Sequence, residues 1–318
     1  MKDWEYVHNA SKVALLYYIE RKTQEEIAKK LGLSRPSVSR LLAYARESGM
    51  VSIKLELPGQ VFPQLEDALE RSFSLEEAVV VSAGESDTSL KQNLGIGGAD
   101  LLSRKIQGIK VLGVSWGSTL YEVINSLPQE HSPSDLKVVQ LVGGMNPVNS
   151  YIYADELAKI LAAKFNGDAY LLRAPMVVDN PEIRGFMLNE SHIKEVLSLA
   201  RNSELALVGI GALGKDSILF RSGCVSEEEL VEIEKKGGVG DILGRFYNIE
   251  GEIIPSSLDE RTIGIDLEDL RNIPYVIGVA GGKNKTKAIL GALRMNILKG
   301  LVVDELVARE ILQAGGNL

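Results

Sequence analysis

The chain has 318 residues, 45% of them hydrophobic and 25% charged, with one cysteine and a net charge of −8. Such a chain is globular with room for two domains, which excludes a disulfide-stapled fragment or a cysteine-based zinc site. The charge excludes a general polyanion binder but is uneven: residues 1–57 carry 10 Lys+Arg against 7 Asp+Glu, so a module of +3 precedes a body of −11.

The N-terminal MKDWEYVHNASK holds no apolar leader core, and no run approaches the ~18 apolar residues of a membrane span; a cytoplasmic protein with no membrane partner is expected. NASKVALLYYIER then spaces Val13, Leu16, Tyr17 and Glu20 as a helix over 9–21. Thr23 followed by Glu26 predicts a capping box at the start of a second helix, which stops at Gly32. The spacing of Ile27, Ala28, Leu31, Gly32, Leu33, Val38 and Leu41 is that of a helix-turn-helix: Ala28 is small where helices cross, and Gly32 can take the left-handed conformation of the turn.

Ser34 caps the third helix, with Pro36 in its first turn. Val38, Leu41, Leu42 and Ala45 form its inward face, which leaves Arg35, Ser37, Ser39 and Arg40 on or beside the outward face. In such modules that end enters the major groove, so these residues, with Gln24 and Pro36, are the candidate DNA contacts. VSIKLEL alternates next as a strand that would form a wing.

Pro58-Gly59 and Pro63 interrupt the pattern, placing a boundary between a DNA-binding domain at 1–57 and a second domain at 58–318. Beyond it, apolar runs at 78–81, 110–114, 137–142, 169–172, 206–210, 275–280 and 301–304 alternate with amphipathic segments. Doubly apolar strands between helices predict an open α/β domain with a parallel sheet, whose ligands sit at the carboxyl ends of the strands. Three such ends are rich in glycine: GVSWGSTL at 113–120, QLVGGMN at 140–146 and VAGGKNK at 279–285.

GVSWGSTL permits two readings. As G-x-S-x-G it would make Ser115 the nucleophile of a hydrolase, but only His131 and His192 follow it, in PQEHSPSD and in an early helical turn, and no HGGG-type oxyanion segment precedes it. A Walker lysine motif is also absent, and GIGGAD at 95–100 lies within a helical pattern, where its glycines permit close packing. The other reading places Ser115, Gly117, Ser118 and Thr119 at a helix N-terminus, whose free N–H groups favour a phosphate, with Lys285 as a cation from another strand end. Gly143 and Gly144 would let backbone N–H groups approach the ligand.

TQEEIAKKLGLSRPSVSRLL, GVSWGSTL, QLVGG, VGDILGRFYN, LDERTIGI and GGKNKTKAILGAL together make the chain resemble bacterial SorC-family transcriptional regulators over nearly its whole length. The resemblance implies a winged helix-turn-helix and an effector domain similar to the ribose-5-phosphate isomerase and glucosamine-6-phosphate deaminase superfamily. It also implies a homo-tetramer that binds operator DNA and responds to a phosphorylated sugar, without cofactor, metal or catalytic residue.

By the same resemblance, Ser115, Gly117, Ser118 and Thr119 match the phosphate loop, Gly281, Gly282 and Lys285 a G-G-x-x-K element, and Asp241 an acidic position facing sugar hydroxyls. Asp241 also reads as a helix N-cap or a solvated side chain. Arg221 could meet a second anionic group or form a surface ion pair, and Asn149 follows the glycine pair as a further candidate. Val142 stands where a lysine could trap an aldehyde as an imine, so reversible binding is expected, and Arg173 is a charge at another strand end. The competing reading is an isomerase or deaminase with a DNA-binding appendage, for which Asp241 would be the general base.

Overall fold

The computed structural model describes residues 4–51, 61–129, 135–144 and 154–315. Contacts divide the chain into two units, Met1–Pro58 and Gly59–Leu318.

In the first unit, helices α1 (Trp4–Ala14), α2 (Gln24–Leu31) and α3 (Arg35–Glu47) enclose a small core of Ala10, Val13, Leu16, Ile27, Val38, Leu41 and Leu42. The first helix begins earlier than the periodicity from residue 9 predicts and leaves α geometry at Leu15–Ile19, which widen into a π turn. Local chemistry sets the other boundaries. Thr23 Oγ1 accepts the Glu26 N–H while the Glu26 carboxylate accepts the Thr23 N–H at 2.8 Å, and Gly32 closes α2 at φ +66°. Ser34 caps α3 by accepting the Ser37 N–H. The wing expected over VSIKLEL lies, after Val51, outside the described residues.

The second unit runs α4 (Pro63–Phe73), β1 (Glu77–Val81), α5 (Asp87–Lys105), β2 (Val111–Val114), α6 (Ser118–Ser126), β3 (Lys137–Gln140), α7 (Ala154–Lys164) and β4 (Asp168–Tyr170). It continues through α8 (Pro181–Asn189), α9 (Ser191–Arg201), β5 (Leu205–Gly209), β6 (Gly211–Ala212), α10 (Ile218–Arg221), α11 (Glu227–Lys235), β7 (Gly238–Ile242) and β8 (Arg245–Asn248). The last elements are α12 (Leu267–Arg271), β9 (Tyr275–Val279), α13 (Thr286–Arg294), β10 (Gly300–Asp304) and α14 (Glu305–Gly315).

Among the described residues, seven strands form one parallel sheet in the order β1-β10-β9-β5-β2-β3-β4. Along β5, Leu205 and Leu207 enter a core with α5, α6 and α7, while Ala206 and Val208 enter another with α9, α13 and α14. Burial on both faces is why these strands read as unbroken apolar runs. The glycines of GIGGAD do let helices close up: a Cβ on Gly95 would stand 2.8 Å from the Glu122 backbone, and one on Gly98 2.6 Å from a Val123 methyl. At the edge, the Ala78 and Val80 N–H groups of β1 donate to Glu70 and Glu66 of α4, which blocks pairing with another chain there.

Two features depart from the expected pattern. The run at 137–142 leaves the sheet after Gln140: Leu141 O accepts the Ile265 N–H, and Val142 bridges Gly264. The segment VGDILGRFYN is a hairpin, β7–β8, joined by the two-residue turn Leu243–Gly244, and with β6 it forms a three-stranded antiparallel sheet. This sheet lies against α13, where Gly240 would clash with Ala288 if it carried a Cβ and Tyr247 donates to Ala288 O.

Candidate effector cavity and nucleic-acid interface

Strand order reverses between β2 and β5: β2, β3 and β4 run one way across the sheet, β5, β9 and β10 the other. A crevice opens at the carboxyl ends of strands where the order reverses. Here it is a cavity of about 490 Å³, walled by Ser115–Leu120 after β2, Gly209–Ile218 after β5, and Gly281, Gly282 and Lys285 after β9, with Asp241, Leu243 and Gly244 from the hairpin. A volume of this order holds a small metabolite.

Ser115 joins the two central strands instead of acting as a nucleophile. Its N–H donates to Leu207 O at 3.0 Å, and its buried Oγ accepts the Gly209 N–H at 3.3 Å. Gly117 then turns the chain at φ +142° and opens α6 without a side-chain cap. Tyr121 N–H reaches back to Gly117 O, but the N–H groups of Ser118, Thr119 and Leu120 have no acceptor among the described residues. They sit at the cavity wall beside the Ser118 and Thr119 hydroxyls, a ready anion site.

Across the cavity, Asp241 is a strand residue, neither a helix cap nor a solvated side chain. Gly211 leaves room for its carboxylate, and Oδ2 accepts the Gly244 N–H at 3.1 Å. Burial pushes its pKa up to about 6, against the pull of that N–H and of the Lys285 ammonium. Lys285 is lowered in turn by burial, opposed by Asp241, and Nζ donates to Ile210 O at 3.0 Å. One bond to a carbonyl leaves two of its donors for a ligand. Arg221, exposed at the end of α10, also lines the cavity and makes no ion pair among the described residues.

Other expected residues stand differently. Gly143 and Gly144 are absent from the cavity wall: their N–H groups donate to Ile263 and Ala174 carbonyls, and a Cβ on Gly143 would lie 2.5 Å from Pro175 O. The close approach that Gly143 permits is of backbone to backbone, whereas a Cβ on Gly144 would meet nothing nearer than 4.0 Å. Gly282 does line the cavity, but its N–H donates to Asp304 at 2.7 Å. Arg173 is exposed, and Asn149 and His131 lie outside the described residues. His192 sits exposed in the first turn of α9, its Nε2 3.1 Å from Leu171 O. Sequence reading missed Lys91, which lines the cavity while paired with Asp87, as well as Trp116 and Leu243 in the same wall and Asp304, which stands behind it and accepts the Gly282 N–H. Lys91 and Asp87 were findable, since they lie four apart at the start of a helix on the strands' carboxyl side.

In the first unit, Arg35, Pro36, Ser39 and Arg40 are exposed at the N-terminal half of α3, and Gln24 and Ser37 are half-buried. Ser37 Oγ already shares a 2.8 Å bond with Ser34 Oγ. Gln24 and Arg35 border one open recess with Tyr17, Arg21 and Lys22, so the starts of α2 and α3 present cations together. Among the described residues no helix is long and apolar enough to cross a membrane.

Residues 62–313 match the sugar-binding domain family, and residues 10–48 match region 4 of sigma-70. The chain is 34% identical to the deoxyribonucleoside regulator of Bacillus subtilis over 94% of its own length and 95% of that protein's. It is 32% identical to the sorbitol operon regulator of Klebsiella pneumoniae, over 95% of this chain and 96% of that one. The crystal structure of full-length SorC from Klebsiella pneumoniae superposes with a TM-score of 0.76 at 31% identity, covering 97% and 99% of the two chains. These relatives are by name regulators, two of them of the sorbitol operon. A helix-turn-helix unit followed by a sugar-binding α/β unit, matched along the whole chain, makes this protein a DNA-binding, sugar-responsive transcriptional regulator that belongs to the SorC family.

Proposed function

We propose that the effector is a small phosphorylated sugar, bound reversibly in the cavity at the β2–β5 crevice, and that its occupancy changes affinity for operator DNA. The observation that carries this reading is the uncapped start of α6, whose N–H groups open into the same cavity as the Lys285 ammonium. A phosphate there meets helix N–H donors, two hydroxyls and a cation, while Asp241 across the cavity accepts sugar hydroxyls and rejects a ligand that lacks them. Arg221 stands free for a second anionic group. Val142, the position expected to decide imine capture, is buried, bridges Gly264 and is absent from the cavity wall, so no imine with a bound sugar forms through it.

Residues 1–57 would hold the operator through Gln24, Arg35, Pro36, Ser37, Ser39 and Arg40, and residues 58–318 would carry effector binding and assembly into a homo-tetramer in the cytoplasm. Light scattering on the eluting protein checks the assembly. The effector reading is tested by a thermal-shift screen of phosphorylated sugars beside their unphosphorylated forms. Stabilisation confined to phosphorylated members is expected, by about 2.7 kcal/mol at a hundredfold excess over Kd. A response confined to unphosphorylated sugars would sink it.

A further inference from the structure

Asp304 ends β10, is 1% exposed, and uses both carboxylate oxygens. Oδ1 accepts the Leu306 and Val307 N–H groups at 3.1 Å each, capping α14. Oδ2 accepts the Gly282 N–H at 2.7 Å, and a Cβ on Gly281 would lie 2.8 Å from the same oxygen. No cation pairs with this carboxylate among the described residues. A helix cap needs one oxygen, so the second is available to shape the loop at the cavity wall.

That loop leads directly to the cavity's cation. Gly282 holds φ +98°, a conformation open to glycine, and its carbonyl accepts the Lys285 N–H at 2.8 Å. Lys285 then lays its ammonium on Ile210 O. An acceptor-only group behind the loop turns the Gly282 N–H away from the cavity, so this N–H does not serve an anion as those at the α6 start can. We propose that Asp304 is the positioning residue of the effector cavity, which receives the Gly282 N–H in place of a ligand and so holds Lys285 at the cavity wall. The proposal rests on that cavity being the effector site.

Two variants separate this role from helix capping. Asp304→Ser retains a good N-cap and leaves Gly282 without its acceptor; Asp304→Asn keeps the shape but cannot serve both sets of donors with its single oxygen. Lysine acetylation read by peptide mass spectrometry compares Lys285 with its exposed neighbours Lys283 and Lys287. In the wild-type protein Lys285 should label slowly, and in either folded variant its rate relative to the neighbours should rise about tenfold, the scale set by loss of one charge-assisted hydrogen bond. The thermal shift given by inorganic phosphate should fall in parallel.

Amide exchange of the unaltered protein gives a readout that needs no variant. Gly282 should be protected as strongly as Leu306 and Val307, and free exchange at Gly282 alone would overturn the proposal. So would folded variants in which Lys285 labelling is unchanged, which would leave Asp304 a helix cap. A wild-type protein indifferent to phosphate, with labelling and exchange as expected, would retain the positioning role and remove the effector reading instead.

Discussion

Asp241 illustrates how a charge at a cavity wall is held against stability. Its carboxyl binds a proton up to about pH 6 in the folded chain, against 3.8 for the free group, chiefly because burial disfavours the charge. Between those values the folded state holds more proton than the unfolded state, so stability is fully present below about pH 4 and is lost as pH rises through 6. Asp241→Asn keeps an acceptor for the Gly244 N–H and removes the charge. The variant should melt higher than wild type at pH 7.5, by about 2–4 °C per kcal/mol recovered, and match it near pH 4. Scanning calorimetry at the two values checks this, and equal shifts at both would mean that the carboxylate's charge is not what costs stability. Next to it, Leu243 lines the cavity at φ +55°, where a side chain with a Cβ is strained. Leu243→Asn relieves that strain by about 1 kcal/mol, but Leu243 is 5% exposed and packed in the core, where losing a leucine costs about 2–5 kcal/mol, so the variant should lower the urea midpoint.

At the scale of elements, the same substitution should have opposite signs in two helices. A methyl at Gly95 of α5 meets the Glu122 backbone of α6 at 2.8 Å, and backbone cannot move aside as a side-chain tip can. Overpacking of about 1–3 kcal/mol outweighs the gain in helix propensity of about 1 kcal/mol, so Gly95→Ala should lower the urea midpoint. Gly185, inside α8, has nothing within 4 Å of such a methyl, and Gly185→Ala should raise it. Elements whose limits are set by neighbours in sequence were the readable ones: the α2 capping box, the Ser34 cap and the apolar parallel strands all follow from local chemistry.

The β7–β8 hairpin was not readable, because its turn is Leu243–Gly244 and carries leucine where a two-residue turn usually signals itself with asparagine or aspartate. Gly143 and Gly144 misled for a related reason. A glycine pair at a strand end looks the same whether ligand or backbone approaches it, and only the fold brings Pro175 there. The site at the α6 start was legible as strand, glycine and hydroxyls, whereas Asp304 was not, its loop partner lying 22 residues away.

Over the whole molecule, a +3 module precedes a −11 body. DNA is therefore drawn to the first unit and repelled by the second, and binding should weaken with salt according to the phosphates neutralised there. An effector can alter that affinity only by binding one arrangement of the protein more tightly than another, and a coupling of about 1–3 kcal/mol corresponds to a 5- to 150-fold change. The two activities should accordingly be separable. Arg35→Ala or Arg40→Ala should weaken binding to a DNA fragment selected by the wild-type protein by about tenfold or more, the value of a lost base or phosphate contact, while phosphorylated sugars still raise the melting temperature. Ser118→Ala combined with Lys285→Ala should abolish that rise and leave DNA affinity without effector near the wild-type value. Fluorescence anisotropy at two salt concentrations, run beside thermal shift on the same preparations, reads both quantities. Equal losses of both activities in either set of variants would mean that operator and effector binding are not divided between the two units.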